Sequence, residues 1–170
     1  MIFEDKSFDH HVSRTSIPRD AGLEDDTQVV YTSDHGDNLG TRGLWGKSTF
    51  YEKSEAVPLI MAGLDIGHSV CDAPVDLLDL SVTITNHFDT GIPGVQGPKP
   101  LPTIAAEPTD PDREILSQYH AIEAVSGSYM LVRGPWKLIH YVGFLPELLD
   151  LEANPEKPAI WRKRQRIKAF

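Results

Sequence analysis

Two chemistries compete in the stretch Ser33 to Thr49, SDHGDNLGTRGLWGKST. Its tail, Gly46-Lys47-Ser48-Thr49, has the residue types that close a phosphate-cradling loop. Its head, Asp34-His35-Gly36-Asp37, has the types that hold a metal ion. A phosphate loop needs glycine, four residues, then Gly-Lys-Ser/Thr directly after a strand, because backbone amides must wrap the phosphate. That register demands glycine at position 41, where the sequence has Thr41, with Gly40 one residue away. Pro58 also cuts short any helix that follows the lysine. The nucleotide reading is therefore weak.

The head reads better. Adjacent carboxylate and imidazole side chains can converge on a divalent ion when the backbone turns sharply, and open α/β sheets place ligands at strand tips. Gly36 supplies the turn. Asp37, Arg42 and Lys47 add polar groups, Asp37 as a candidate to hold His35 in one tautomer, and Trp45, Phe50 and Tyr51 can wall the site off. On the residues alone, a plain loop for Asp34 and His35 and a solvated charge for Lys47 stay open as alternatives.

Elements must position these groups. Thr27 to Ser33, TQVVYTS, is a β-branched and aromatic run that enters the polar loop, so it reads as a strand. Val57 to Ala62, VPLIMA, is the next strand, with Pro58 at an early position. Between Val75 and Phe88, the residues Leu77, Leu80, Ile84 and Phe88 fall at helical steps and predict one buried face. The segment GIPGVQGPKPLPTIAAEPTDPDR is so dense in Pro and Gly that neither helix nor sheet is expected in it. Ser128–Arg133 and Trp136–Val142 flank Gly134-Pro135 as a type II′ hairpin, with Trp136, Leu138, His140 and Val142 on one face. FLPELLDLEANPE reads as a further short strand and turn. No internal repeat is visible.

The 170 residues, 40% hydrophobic, suit a globular domain. With 16 basic and 25 acidic residues the net charge is -9, which disfavours a general nucleic-acid binder. Residues 157–170 hold Lys157, Arg162, Lys163, Arg164, Arg166 and Lys168 and no acid; removing those six charges from -9 leaves -15 on residues 1–156. This basic end reads as a solvated terminus. The single Cys71 allows no internal disulfide and reads as a small apolar residue. No apolar run approaches the ~20 residues of a membrane span, and the N-terminus lacks a secretory apolar region. A cytoplasmic chain without membrane or nucleic-acid partner is expected, and oligomeric state has no signal.

The run SDHGDNLGTRGLWGKSTFYEKSEAVPLIMAG resembles a segment of type I sulfatases and their phosphonate and phosphate ester hydrolase relatives in the alkaline phosphatase superfamily. The likeness takes in the DHG turn, RGLWGK, FYE, the VPLI strand and then APVDLLDL. SQYHAIEAVSGSYMLVRGPWKLIHYVGFLPELLDLEANPE is similar to the small C-terminal subdomain of choline-sulfatase-like members. Together these cover roughly residues 20–156. The resemblance implies an α/β chain: residues 1–113 as the latter half of an alkaline-phosphatase-like mixed sheet with a flanking helix, 114–156 as a small antiparallel subdomain, and 157–170 as a basic tail. It implies hydrolysis of a small-molecule sulfate ester, with phosphonate or phosphate esters as the near alternative. Asp34 and His35 would then be ligands of a divalent metal, calcium or manganese. Lys47 would reach the sulfate oxygens as catalytic and substrate-binding residue, and His120, in QYHA, would contact substrate.

The family's nucleophile is a formylglycine made from cysteine in a CxPSR segment, beside two acidic metal ligands on the first strand. Here Cys71 lies in CDAPVD without Pro-Ser-Arg, and no early apolar strand ends in Asp-Asp. The formylglycine is thus absent. By the family's layout the sequence starts in the second half of the hydrolase domain, and alone it should be inert, as when groups that act together are deleted at a loss of ~10⁶. A third reading is a non-catalytic remnant or half-chain completed by a partner; Val29, Val30 and Tyr31 would then line a strand without its parallel neighbours. Two stretches depart from the family: VSRTSIPRDAGL, where Pro18 interrupts a helix of the relatives, and PEKPAIWRKRQRIKAF. His10 and His11 read as exposed residues, His68 and His87 carry no partner signal, and His140 reads as a core or interface histidine.

Overall fold

The structure, a computed structural model, describes residues 2–3, 20–91, 93–94, 97–107, 110, 112–121 and 124–158. Pro18, His10, His11 and the tail from residue 159 lie outside them. The chain divides into two units, residues 1–47 with 53–110, and residues 48–52 with 111–170.

In the first unit, strand β2 (Gln28–Tyr31) runs antiparallel to β3 (Leu59–Gly63), with Gln28 opposite Gly63 and Tyr31 opposite Ile60. The two-residue strand β1 (Ile2–Phe3) is antiparallel to β3 and parallel to β4 (Val70–Cys71), so the sheet is mixed, in the order β2-β3-β1-β4. Both strands expected from sequence form, and Pro58 sits just outside β3, where its missing amide costs no ladder bond. Glycine is required at Gly63, the last residue of β3, because a Cβ there would lie 2.0 Å from the Thr27 carbonyl oxygen. Leu59, Met61, Leu101 and Ile104 form the core, with Val30, Cys71 and Leu80 packed against it.

A one-turn helix α1 (Glu52–Glu55) precedes β3, and the expected amphipathic helix forms as α2 (Leu77–His87). Asp76 and Asp79 build a capping box at its start, each side chain accepting from the other's backbone amide. Its buried face differs from the expected one. Leu80 is part-buried, but Leu77, Ile84 and Phe88 are exposed, and the buried residues are Asp79 and Thr83. The reason is backbone satisfaction: Asp79 Oδ1 accepts from Lys99 N at 2.9 Å, and Thr83 Oγ1 accepts from Leu101 N at 2.8 Å. Leu101 opens helix α3 (Leu101–Ala106), inside the Pro/Gly-rich stretch where no helix was expected. Its amide is one of the orphans of a helix start. Proline is tolerated in that first turn because its missing N–H has no partner to lose, and buried Leu101 and Ile104 anchor the helix.

The second unit is a five-stranded antiparallel meander of β5 (Glu114–Tyr119), β6 (Ser128–Arg133), β7 (Trp136–Tyr141), β8 (Glu147–Asp150) and β9 (Asn154–Pro158). The β6–β7 hairpin closes as expected, Arg133 opposite Trp136, with Gly134 at φ +53. Its core face is the opposite one. Lys137 and Ile139 are buried, whereas Trp136, His140 and Val142 are exposed, so His140 is not a core residue. β6 decides this, because Met130 and Val132 point inward and pair with Ile139 and Lys137. Ile115 and Leu149 complete the core together with Phe50 from the 48–52 segment.

Candidate functional site

β2 ends at Tyr31, and the chain turns through Ser33 to His35. Two contacts fix that turn. Gly36 N donates to the Ser54 carbonyl at 2.8 Å, and a Cβ on Gly36 would sit 2.1 Å from the Lys53 carbonyl oxygen. Glycine is required here by the close approach of two backbones. Ser33 Oγ donates to the His35 carbonyl at 2.9 Å.

The His35 ring meets the Gly36 carbonyl through Nδ1 at 2.8 Å. A carbonyl only accepts, so Nδ1 carries the proton and Nε2 presents its lone pair. Two groups converge on Nε2, the Lys47 ammonium at 2.5 Å and Asp34 Oδ2 at 3.3 Å. The tautomer role considered for Asp37 thus falls to the Gly36 carbonyl; Asp37 Oδ1 instead accepts from Leu39 N at 2.7 Å in a local turn. The Asp34 side chain is 80% exposed and that of His35 39%. Partial desolvation pushes the Asp34 carboxyl up. The amides of Asp34 and His35, and the positive charges that His35 and Lys47 carry when Asp34 titrates, outweigh it and hold the carboxyl below its ordinary 3.8.

Lys47 is delivered by a loop that satisfies its own backbone. Buried Asn38 donates to the Gly46 carbonyl from both N, at 2.9 Å, and Nδ2, at 2.7 Å. Gly40 N bonds Leu44 O, Gly43 N bonds Gly40 O, and Leu44 N bonds Thr41 O. These amides face loop carbonyls and so are not free to wrap a phosphate. Leu39 and Arg42 take positive φ, 46 and 58, a left-handed conformation rare outside glycine. Buried Ser54 donates to the Lys47 carbonyl at 2.5 Å. Asn38 and Ser54 carry no motif signal, and only their contacts reveal them.

Asp34, His35 and Lys47 are brought together within the first unit. His120 belongs to the second, just past β5, exposed and edge-on to Tyr129 with ring centres 5.1 Å apart. His68 is exposed, as is His87, which lies edge-on to Phe88. Among the described residues no group of three or more His, Cys, Asp or Glu side chains could hold a metal ion. No helix among them is long and apolar enough to cross a membrane.

A carboxylate, an imidazole and an ammonium are thus gathered just beyond the end of β2 in the mixed sheet. The chain matches the sulfatase family model over residues 16–90. It is 34% identical over 136 residues to the choline-sulfatase of Rhizobium meliloti (strain 1021), covering 77% of this chain and 26% of that protein. To arylsulfatase K of Homo sapiens it is 31% identical over 145 residues, covering 77% and 27%. Among solved structures, BT4656 in complex with its substrate D-glucosamine-2-N,6-O-disulfate aligns with a TM-score of 0.72 at 27% identity, over 85% of this chain and 32% of that one. The phosphonate monoester hydrolase SpPMH from Silicibacter pomeroyi aligns with a TM-score of 0.72 at 24% identity, over 87% and 33%, a likeness of fold. The chain spans about a quarter of the length of these relatives and about a third of these structures. The expected sulfatase-like α/β fold is met.

Proposed function

We propose that this chain carries the cation- and anion-binding turn of a sulfuric ester hydrolase acting on a small-molecule sulfate ester. The convergence of Asp34 and Lys47 on His35 Nε2 carries this reading. Asp34 and His35 would hold a divalent ion, calcium or manganese. The residues fit half of such a shell: their donors face one point, they are the oxygen and imidazole types such ions accept, and that point already takes the positive charge of Lys47. When bound, the ion supplies electrophilic stabilisation of the ester oxygens.

The rest is the work of the chain itself. The Gly36 carbonyl keeps the His35 Nε2 lone pair available. Asp34, with its lowered pKa, stays ionised through the mildly acidic range. The ammonium of Lys47, whose backbone the Asn38 and Ser54 contacts hold, would bind sulfate oxygens and stabilise charge that builds on them. His120 would contact the substrate. This chain has no CxPSR segment, so on its own it is expected to bind sulfate without turning over an ester.

Titration of the purified chain with inorganic sulfate tests the reading. Lys47→Ala should weaken binding at least tenfold, and equal affinity in the two proteins would overturn it. A chromogenic aryl sulfate with calcium or manganese should show no turnover above the Lys47→Ala control. Binding of phenylphosphonate tighter than that of sulfate would shift the assignment to phosphonate ester hydrolysis.

A further inference from the structure

Trp45, Phe50 and Tyr51 were all candidates to wall the site off, and the structure separates them. Phe50 and Tyr51 lie in the segment that groups with the second unit, Phe50 buried in its core. Trp45 stays in the first unit with Asp34, His35 and Lys47, and it is 78% exposed. Its indole is nevertheless placed by the backbone. A Cβ at Gly40 would come within 3.3 Å of Trp45 Cζ2 and 3.7 Å of Cε2 and Cη2, so the six-membered ring rests against a bare α-carbon. A large flat surface is thereby held in one position with most of its area open to solvent.

The same loop turns further apolar surface outward. Leu39 is 74% exposed and Leu44 36%. Leu39 is kept at φ +46 by the bond of its amide to Asp37 Oδ1, and Arg42, also exposed, takes φ +58. Left-handed backbone at such residues costs free energy and persists where the surroundings enforce it, as at ligand clamps. The neighbouring polar side chains face inward instead, Asp37 to the Leu39 amide and Asn38 to the Gly46 carbonyl. An apolar patch thus stands beside a cation, since the α-carbons of Trp45 and Lys47 are at most about 7 Å apart along the chain. A flat ring laid on the indole would bury apolar area and gain the preference of paired aromatic rings. A sugar would find few partners for its hydroxyls on this patch, and a short alkyl group would cover less of it.

We propose that Trp45 is a specificity-determining residue: its indole, held against Gly40 and flanked by Leu39, stacks a flat ring in the alcohol part of the ester while Lys47 takes the sulfate group. The inference rests on the reading of Lys47 as the anion-binding lysine, and it stays within the first unit.

The test uses the full chain and two probes with the same anionic group, phenyl sulfate and methyl sulfate. In an NMR titration the His35 ¹⁵N resonance reads affinity in every variant, and the indole N–H resonance of Trp45, assigned by its loss in Trp45→Ala, reads the ring. Phenyl sulfate should bind about tenfold more tightly than methyl sulfate and shift the indole resonance. Trp45→Ala should weaken phenyl sulfate about tenfold and methyl sulfate far less, and Trp45→Phe should restore part of the preference. A tryptophan that only supports the loop would lower the melting temperature and weaken both probes equally. Equal binding of the two probes to the unmodified chain, binding of neither, or an undiminished preference in Trp45→Ala overturns the proposal. Inorganic sulfate can still bind in that case, which leaves the anion-binding reading in place. If phenyl sulfate shifts the Trp45 resonance with equal affinity in Lys47→Ala, the stacking stands and the anion-binding reading falls. An indole resonance that moves with protein concentration alone, with a dimer in sedimentation, assigns the patch to a second copy and also overturns the proposal.

Discussion

Replacing Gly36 by alanine is the smallest change that strikes both the fold and the site. The new Cβ would lie 2.1 Å from the Lys53 carbonyl oxygen and 3.1 Å from its carbon. Ordinary contact requires the two backbones to part by about 1 Å. The Gly36 N to Ser54 O bond, now 2.8 Å, would then stretch past the ~3.2 Å limit of a normal hydrogen bond. Losing it costs about 1 kcal/mol, and strain in a packed site adds about 1–2 kcal/mol. A total near 2–3 kcal/mol corresponds to a fall of roughly 4–12 °C in Tm for a chain of this size. Ser54 also holds the Lys47 carbonyl, so the same variant should weaken inorganic sulfate binding. The assays are thermal unfolding by circular dichroism and a sulfate titration. Gly36→Ala with Tm within 1 °C of the unmodified chain and with undiminished sulfate affinity would refute the account of this turn.

Further outcomes follow from other contacts. Asp79→Ala removes the acceptor of the Lys99 and Asp76 amides from a fully buried position and should lower unfolding stability by about 3 kcal/mol in urea. Asp79→Asn should recover little, because its amide would face a donor. Asn38→Ala leaves the Gly46 carbonyl without its side-chain partner and should cost about 1–2 kcal/mol, with a weaker Lys47–His35 contact seen in the His35 ¹⁵N resonance. The Asp34 carboxyl should titrate below 3.8 by ¹³C NMR and move up toward that value in Lys47→Ala. Because its folded pKa is depressed, whatever stability its ionisation contributes is present above 3.8 and lost as pH falls through the lower folded value.

The strands on either side of the turn were legible because β-branched runs bounded by polar, Gly-punctuated loops have few other solutions. The hairpin was legible from Gly134-Pro135. Faces were harder to read wherever a polar residue was buried. In WKLIHYV the alternation with Leu138 and Val142 had His140 read as a core or interface histidine. Only the pairing of β7 with Met130 and Val132 corrects it. On α2 the apolar steps suggested one face, while the amides of Lys99 and Leu101 drew Asp79 and Thr83 inward, a demand made by residues about twenty positions away in sequence. Helix α3 escaped notice because proline density masks a first turn that tolerates it. At the candidate site, Asp34, His35 and Lys47 were singled out by the resemblance of the DHG and RGLWGK motifs, since type and spacing alone left a plain loop open, while the supports at Asn38 and Ser54, eight and seven positions from their partners, have no motif pattern.

The loop from Asn38 to Gly46 closes its hydrogen bonds on itself, and this shapes how an anion would arrive. A segment already in its final conformation loses little conformational freedom on complex formation, so selectivity can rest on fit rather than on ordering. The heat-capacity change on sulfate binding should accordingly be small, and association should slow as ionic strength screens the ammonium, with little change in the departure rate.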